Sequence, residues 1–200
     1  MAIWFRILFE SVIGLWIKRA GEKPDLRRGI LKIISGGQTG IDRGALDAAL
    51  ALQDECGGWC PAGRLAEDGT IPKRYPVVEL PDARYAERTA QNVADSDGTL
   101  IISNGEPIGG TRETIDRCVE MDKPHLIIDH AKIPTNEIVE LVLRFVGDHH
   151  IRLLNVAGPR ASQWPEGHKT AQRIVSGILR RLVDRTTPLN TVRHSPRGDP

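Results

Sequence analysis

The sequence predicts an α/β domain of three layers, a mostly parallel sheet with helices on both faces. Three observations lead there. Short, unbroken apolar runs alternate with segments of helical spacing from residue 31 onward. Runs without in–out alternation mark strands buried on both faces. Glycines gather where strand runs give way to helices, the place where such sheets bind ligands. The chain has 200 residues and no internal repeat, which suits one domain of ordinary size.

The elements follow in order. Residues 31–35 (LKIIS) read as a buried strand closed by Gly36 and Gly37. Residues 41–53 read as a helix with Ile41, Leu46, Ala49, Leu50 and Leu52 apolar. Residues 55–60 read as a short second strand weakened by two glycines. Residues 61–76 carry Pro61, Gly63, Gly69, Pro72 and Pro76 and read as a long loop, a feature often functional in compact domains. Residues 77–80 suit a short strand, 85–95 a helix, and 99–103 a strand closed by Asn104 and Gly105. A helix over 111–121 is opened by Gly109 and Gly110, and 125–129 is another strand. Residues 135–147 form a helix with Thr135 as its cap and Ile138, Leu141, Val142 and Phe145 on one side. The last strand is 151–156, followed by Gly158, Pro159 and Arg160. A closing helix over 169–183 carries Ile174, Ile178, Leu179 and Leu182. Together these make a single Rossmann-like domain over residues 31–184.

The flanks differ in composition. Residues 1–30 form an apolar and basic leader, interrupted by Arg6, Glu10, Ser11 and Gly14. Its apolar part is shorter than the roughly 20 residues a membrane span needs. Its basic cluster follows the apolar run, the reverse of a signal peptide. Arg6 and Glu10 are spaced to pair on a helix, so the leader reads as an amphipathic helix or as an appendage from an upstream start codon. Residues 185–200 are rich in Pro, Thr and Arg and read as a solvated tail.

Composition excludes several functions. Lys and Arg number 27 and Asp and Glu 26, a net charge of +1 that gives no bulk case for nucleic-acid or anionic-membrane binding. Aromatic residues are 4%, too few for a base-stacking platform. Cys56, Cys60 and Cys118 form no disulfide framework and point to a reducing cytoplasm. Cys56 and Cys60 lack the spacing of a structural zinc site and read as buried thiols. His149 and His150 end a helix and read as terminus cations.

Two glycine-rich turns carry the chemistry. The first is Ser35-Gly36-Gly37-Gln38-Thr39-Gly40-Ile41-Asp42-Arg43. Glycines there expose N–H groups, and the following helix adds partial positive charge, so the turn suits a phosphate or other oxyanion. Thr39 offers a hydroxyl and Arg43 a cation. The pattern is neither the dinucleotide fingerprint nor the P-loop, and no lysine is placed for a nucleoside triphosphate. The second turn is Ile108-Gly109-Gly110-Thr111-Arg112-Glu113. Side by side the two make a two-pronged cradle for a small anionic ligand, with Gly158-Pro159-Arg160 as a further wall or a plain turn. In the long loop, Trp59 offers a flat face and Arg64 a cation. Glu67 and Asp68 suit a ring N–H, a positioned water, or simple solvation.

A family resemblance rests on these residues. The stretch from Ile34 to Arg43, then Ala48-Ala49, Gly57-Gly58-Trp59-Cys60-Pro61 and RLAEDG over 64–69, resembles the putative molybdenum carrier family. It continues through Ile71-Pro72, Arg74-Tyr75-Pro76, Arg88-Thr89, Asn92-Val93, Ser96-Asp97, Gly109-Gly110-Thr111 and 154–160. It covers about residues 31–183. The resemblance implies a circularly permuted branch of the YpsA-like, LOG and DprA group of Rossmann-like nucleotide-ligand binders. It also implies a homo-oligomer, molybdenum cofactor as cargo and a molybdoenzyme as recipient. A cofactor with two anionic ends suits two amide-rich turns.

Two alternatives stand beside the carrier. The LOG phosphoribohydrolases, which split a base from a nucleotide monophosphate, use P-G-G-x-G-T-x-x-E. Here Glu113 comes one place early after Thr111, a rotation of about 100° on a helix. That departure argues against Glu113 as the catalytic group, with Asp42, Glu67 or Asp68 as substitutes. The other alternative is a nucleotide sensor that signals to a partner through the leader.

Overall fold

The computed structural model describes residues 31–81 and 84–186, so the leader and residues 187–200 of the tail lie outside the described residues. Five parallel strands make the central sheet, in the order β2-β1-β9-β7-β8. In chain order they are β1 (Lys32–Ile34), β2 (Cys56–Gly57), β7 (Gly98–Ser103), β8 (His125–Asp129) and β9 (Leu153–Ala157). Every residue of β7 is buried, which is why its sequence shows no alternation.

Five helices surround the sheet: α1 (Ile41–Ala51), α2 (Tyr85–Asp95), α3 (Gly109–Glu120), α4 (Thr135–Asp148) and α5 (Gly167–Thr186). The chain moves from β1 through α1 to β2 in one direction, and from β7 through α3 to β8 in the other. Right-handed crossovers in opposite directions put their helices on opposite faces. Helix α5 accordingly packs against α1 and α4, while α2 packs against α3. The core is one cluster, with Ile33, Ile41, Leu46, Leu100, Leu154, Ile174 and Ile178 at its centre.

The structure refines several expectations. The expected strand over 55–60 is split into β2 and β3 (Trp59–Cys60), because Gly58 turns the backbone into the left-handed region at φ +125°. Strand β3 leaves the main sheet and pairs with β6 (Val78–Glu79) in parallel. The expected long loop contains a 3-10 turn (Ala62–Arg64) and a hairpin of β4 (Leu65–Ala66) and β5 (Gly69–Thr70). Thr135 is not the cap of α4. Pro134 holds that position in extended conformation, and its carbonyl accepts from the N–H groups of Glu137 and Ile138. Gly109 and Gly110 do not precede α3 but form its first turn. The last helix runs to Thr186, two residues into the expected tail.

The contact between α1 and α5 depends on Gly44. A Cβ there would collide with the His168 carbonyl and sit 3.0 Å from Ala171 Cβ. One neighbour is helix backbone and the other, Ala171, is fully buried, so overpacking is expected to cost about 1–3 kcal/mol. Gly44→Ala should lower the urea midpoint accordingly. An unchanged midpoint would mean that the two helices separate freely.

Candidate functional site

The sheet reverses direction around β1, β9 and β7, and in open α/β sheets ligands sit at the carboxyl ends there. A cleft of about 260 Å³ opens at that place. The loop after β1 contributes Gly36 and Gln38, and the end of β9 contributes residues 155–158 and Arg160. Helix α3 contributes Gly109, Gly110 and Thr111, so residues of both glycine-rich turns share one cleft.

The two turns are equipped differently. In the first, the protein itself fills three of the N–H donors. The Gln38 N–H donates to Asp42 Oδ2 at 3.2 Å, and the Thr39 N–H to Gln38 Oε1 at 3.0 Å. The Ile41 N–H donates to the Pro159 carbonyl at 3.2 Å. At α3, Thr111 and Arg112 turn their N–H groups back to the Ile108 carbonyl. Gly109 and Gly110 stand at the start of the helix with no preceding turn to accept their N–H groups. That end suits an anion, since its dipole is positive there too.

Helix α2 supplies a wall that the glycine pattern does not reveal. Arg88, Thr89 and Asn92 line the cleft, with Tyr85 half exposed at its edge. Arg88 lies across Gly36, whose missing Cβ leaves the room, since any Cβ would coincide with the guanidinium. Arg88 Nη1 donates to Asp42 Oδ2 at 2.9 Å, and this pair is nearly enclosed, with side-chain exposures of 14% and 5%. The Arg88 Nε–H is buried without an acceptor among the described residues. Burial pushes the Asp42 carboxyl up, and Arg88 and the Gln38 N–H pull it back only in part.

The remaining expected site residues lie behind or beside the cleft. Arg43 donates from Nε to the Gly37 carbonyl and grips Asp68 with both terminal nitrogens at 2.6 and 2.7 Å. Arg64 spends its guanidinium on the carbonyls of Ile71, Pro72, Tyr75 and Val77, and so braces the loop. Trp59 donates from Nε1 to Asp95 at 2.6 Å, and its backbone is pinned by the Asn92 side chain. Thr39 gives its hydroxyl to Glu67 and accepts from the Ala161 N–H. Gly40 packs against the Pro159 carbonyl.

Glu67 and Asp68 are anchors rather than solvated carboxylates. Burial raises Glu67, but hydrogen bonds from Ser162 and Thr39 outweigh it and hold the carboxyl below 4.5. The Arg43 hydrogen bonds hold Asp68 below 3.8.

Glu113 also needs correction. The spacing argued that it turns away from a catalytic place, yet it lines the cleft with Thr114. The helix starts at Gly109, so Gly110, Glu113 and Thr114 fall on one face at i, i+3 and i+4. Asn155, a polar residue inside an otherwise apolar strand, reaches the cleft and is 3% exposed. The polar set Arg88, Thr89 and Asn92 on one side of α2 was the readable sign of a polar wall.

Among the described residues, no group of three or more His, Cys, Asp or Glu side chains is placed to hold a metal ion. The three cysteines are free and buried, and burial pushes the Cys56 thiol up to about 11. No helix among the described residues is long and apolar enough to cross a membrane.

The model of the circularly permutated YpsA SLOG family matches residues 33–179, which includes every wall of this cleft. The chain belongs to that family. Among solved structures, this SLOG-family chain is similar to the crystal structure of a putative molybdenum carrier protein from Syntrophus aciditrophicus SB. The two are 44% identical with a TM-score of 0.74, over 76% of this chain and 96% of that one. No curated protein matches.

Two predictions follow from these ion pairs. Removing one partner of a buried pair leaves an uncompensated charge and costs about 3–5 kcal/mol. Arg88→Ala is expected to lose that much in urea unfolding, and adding Asp42→Asn should return part of it. Equal stability of Arg88→Ala and wild type would show the pair to be inert. The second concerns acid. Depressed carboxyl values supply stability that is full above the unfolded values and lost as pH falls through the folded ones. The wild type should therefore lose stability more steeply below pH 4.5 than Glu67→Gln/Asp68→Asn. Parallel pH profiles would contradict this.

Proposed function

We propose that this SLOG-family protein is a carrier that binds molybdenum cofactor in the cleft, without turning it over. The observation that supports it most is the convergence of Gly36, Gln38, Gly109, Gly110 and Thr111 on one cleft beside Arg88. The cofactor's anionic group takes the free N–H groups at the start of α3. Its ring system lies toward Tyr85, whose half-exposed face suits a flat heterocycle. Glu113 and Asn155 offer acceptors for ring N–H groups. The likeness to a putative molybdenum carrier protein supports the same reading. The site forms in the cytoplasm, in a homo-oligomer, and releases its cargo to a molybdoenzyme.

One observation favours a second reading. The presence of Glu113 in the cleft supplies a carboxylate that a nucleotide phosphoribohydrolase would use. Incubation with AMP separates the two, since a hydrolase releases adenine and a carrier returns AMP intact.

The direct test is titration with freshly released cofactor and with AMP, comparing wild type with Gly110→Asp. A Cβ at Gly110 meets nothing within 4 Å, so the variant should fold normally. Its carboxylate stands at the proposed anion position, and binding is expected to fall at least about a hundredfold. Unchanged affinity in the folded variant would refute this position.

A further inference from the structure

We infer that the Glu67 carboxylate occupies a second oxyanion site of this protein and yields it to an anionic group of the ligand. The inference deepens the proposed function and rests on it. It concerns what surrounds Glu67. Its two oxygens accept from the Thr39 hydroxyl, the Ser162 N–H at 3.1 Å, the Ser162 hydroxyl, and Arg160 Nε at 3.3 Å. None of these donors belongs to the hairpin that carries Glu67. They come from the loops after β1 and β9, at the carboxyl ends of two adjacent central strands. Two hydroxyls, an amide and a guanidinium converging on one point form the donor set of a phosphate or another tetrahedral oxyanion.

The site adjoins the cleft, because Arg160 belongs to both. Gln38 belongs to both as well, since its Oε1 also accepts from the Glu67 N–H at 3.0 Å. A ligand with two anionic ends therefore spans from the start of α3 to the place of Glu67. The hairpin tip can move without breaking the central sheet. Strands β4 and β5 have two residues each, pair only with one another, and are joined by the Glu67–Asp68 tip. Asp68 has a different part. Arg43 grips it from both terminal nitrogens and donates its Nε–H to the Gly37 carbonyl, so that pair keeps the hairpin tethered while Glu67 moves.

The test is calorimetric titration of inorganic phosphate and of molybdate into the wild-type chain, Glu67→Gln and Glu67→Ala. Glu166→Gln serves as control, since it removes one surface carboxylate elsewhere. Glutamine keeps the size of the tip, and thermal melting verifies that each variant is folded. Both Glu67 variants are expected to bind one of the two oxyanions at least about tenfold tighter than wild type and control. That gain should vanish when Thr39→Val and Arg160→Ala are added. The oxyanion that gains more identifies the end of the ligand that belongs here. Equal or weaker binding in folded Glu67 variants overturns the inference, as does a gain that survives loss of Thr39 and Arg160. Failure of the function itself looks different. Wild type that binds neither cofactor nor AMP, with Glu67 variants that still gain phosphate, removes the carrier and leaves the oxyanion site.

Discussion

The buried pair between Asp42 and Arg88 fixes the shape of the cleft. Asp42 sits in the first turn of α1 and Arg88 at the end of the first turn of α2, so the pair joins the two helical layers at the carboxyl ends of the strands. Taking two charges out of water is costly unless each finds further partners. Asp42 finds the Gln38 N–H, which bends the loop after β1 back on itself. Arg88 finds room only over Gly36. A side chain at position 36, or a neutral one at 42, would undo the same arrangement from either end.

This constraint divides the labour between two turns that look alike in sequence. The first turn uses the Gln38 and Thr39 N–H groups and their side chains to hold itself, the hairpin tip and the 159–162 segment together. At the second, Gly109 and Gly110 open α3 with no preceding turn to accept their N–H groups. Glycine richness alone does not separate the two cases. What separates them is the supply of internal acceptors: Asp42, Gln38 and Glu67 lie beside the first turn, while the Ile108 carbonyl serves only Thr111 and Arg112 at the second.

Most of the fold was legible because it rests on short apolar runs, and β7, β8 and α4 stand close to where the pattern puts them. The region between Glu55 and Leu80 was less legible. Its geometry depends on one left-handed glycine and on an arginine that collects four carbonyls, and neither leaves a periodic trace. The cleft was half legible. Gly36, Gly109 and Gly110 announce themselves, whereas the polar face of Arg88 and Asn92 shows its place only once α2 is seen to pack on α3. Conversely Arg43, Arg64 and Trp59 carry groups that suit a ligand, yet those groups are engaged with Asp68, loop carbonyls and Asp95. In this chain the cations of the glycine-rich loops serve as braces, and their acceptors show it.

The carrier account is tested most directly by what the protein holds in a cell that makes molybdenum cofactor. The chain would be isolated gently from such cells, and the released ligand identified by mass spectrometry together with metal analysis. The account predicts a pterin and molybdenum in equal amounts, each close to one per chain. A nucleotide at that level, with no pterin, would contradict it.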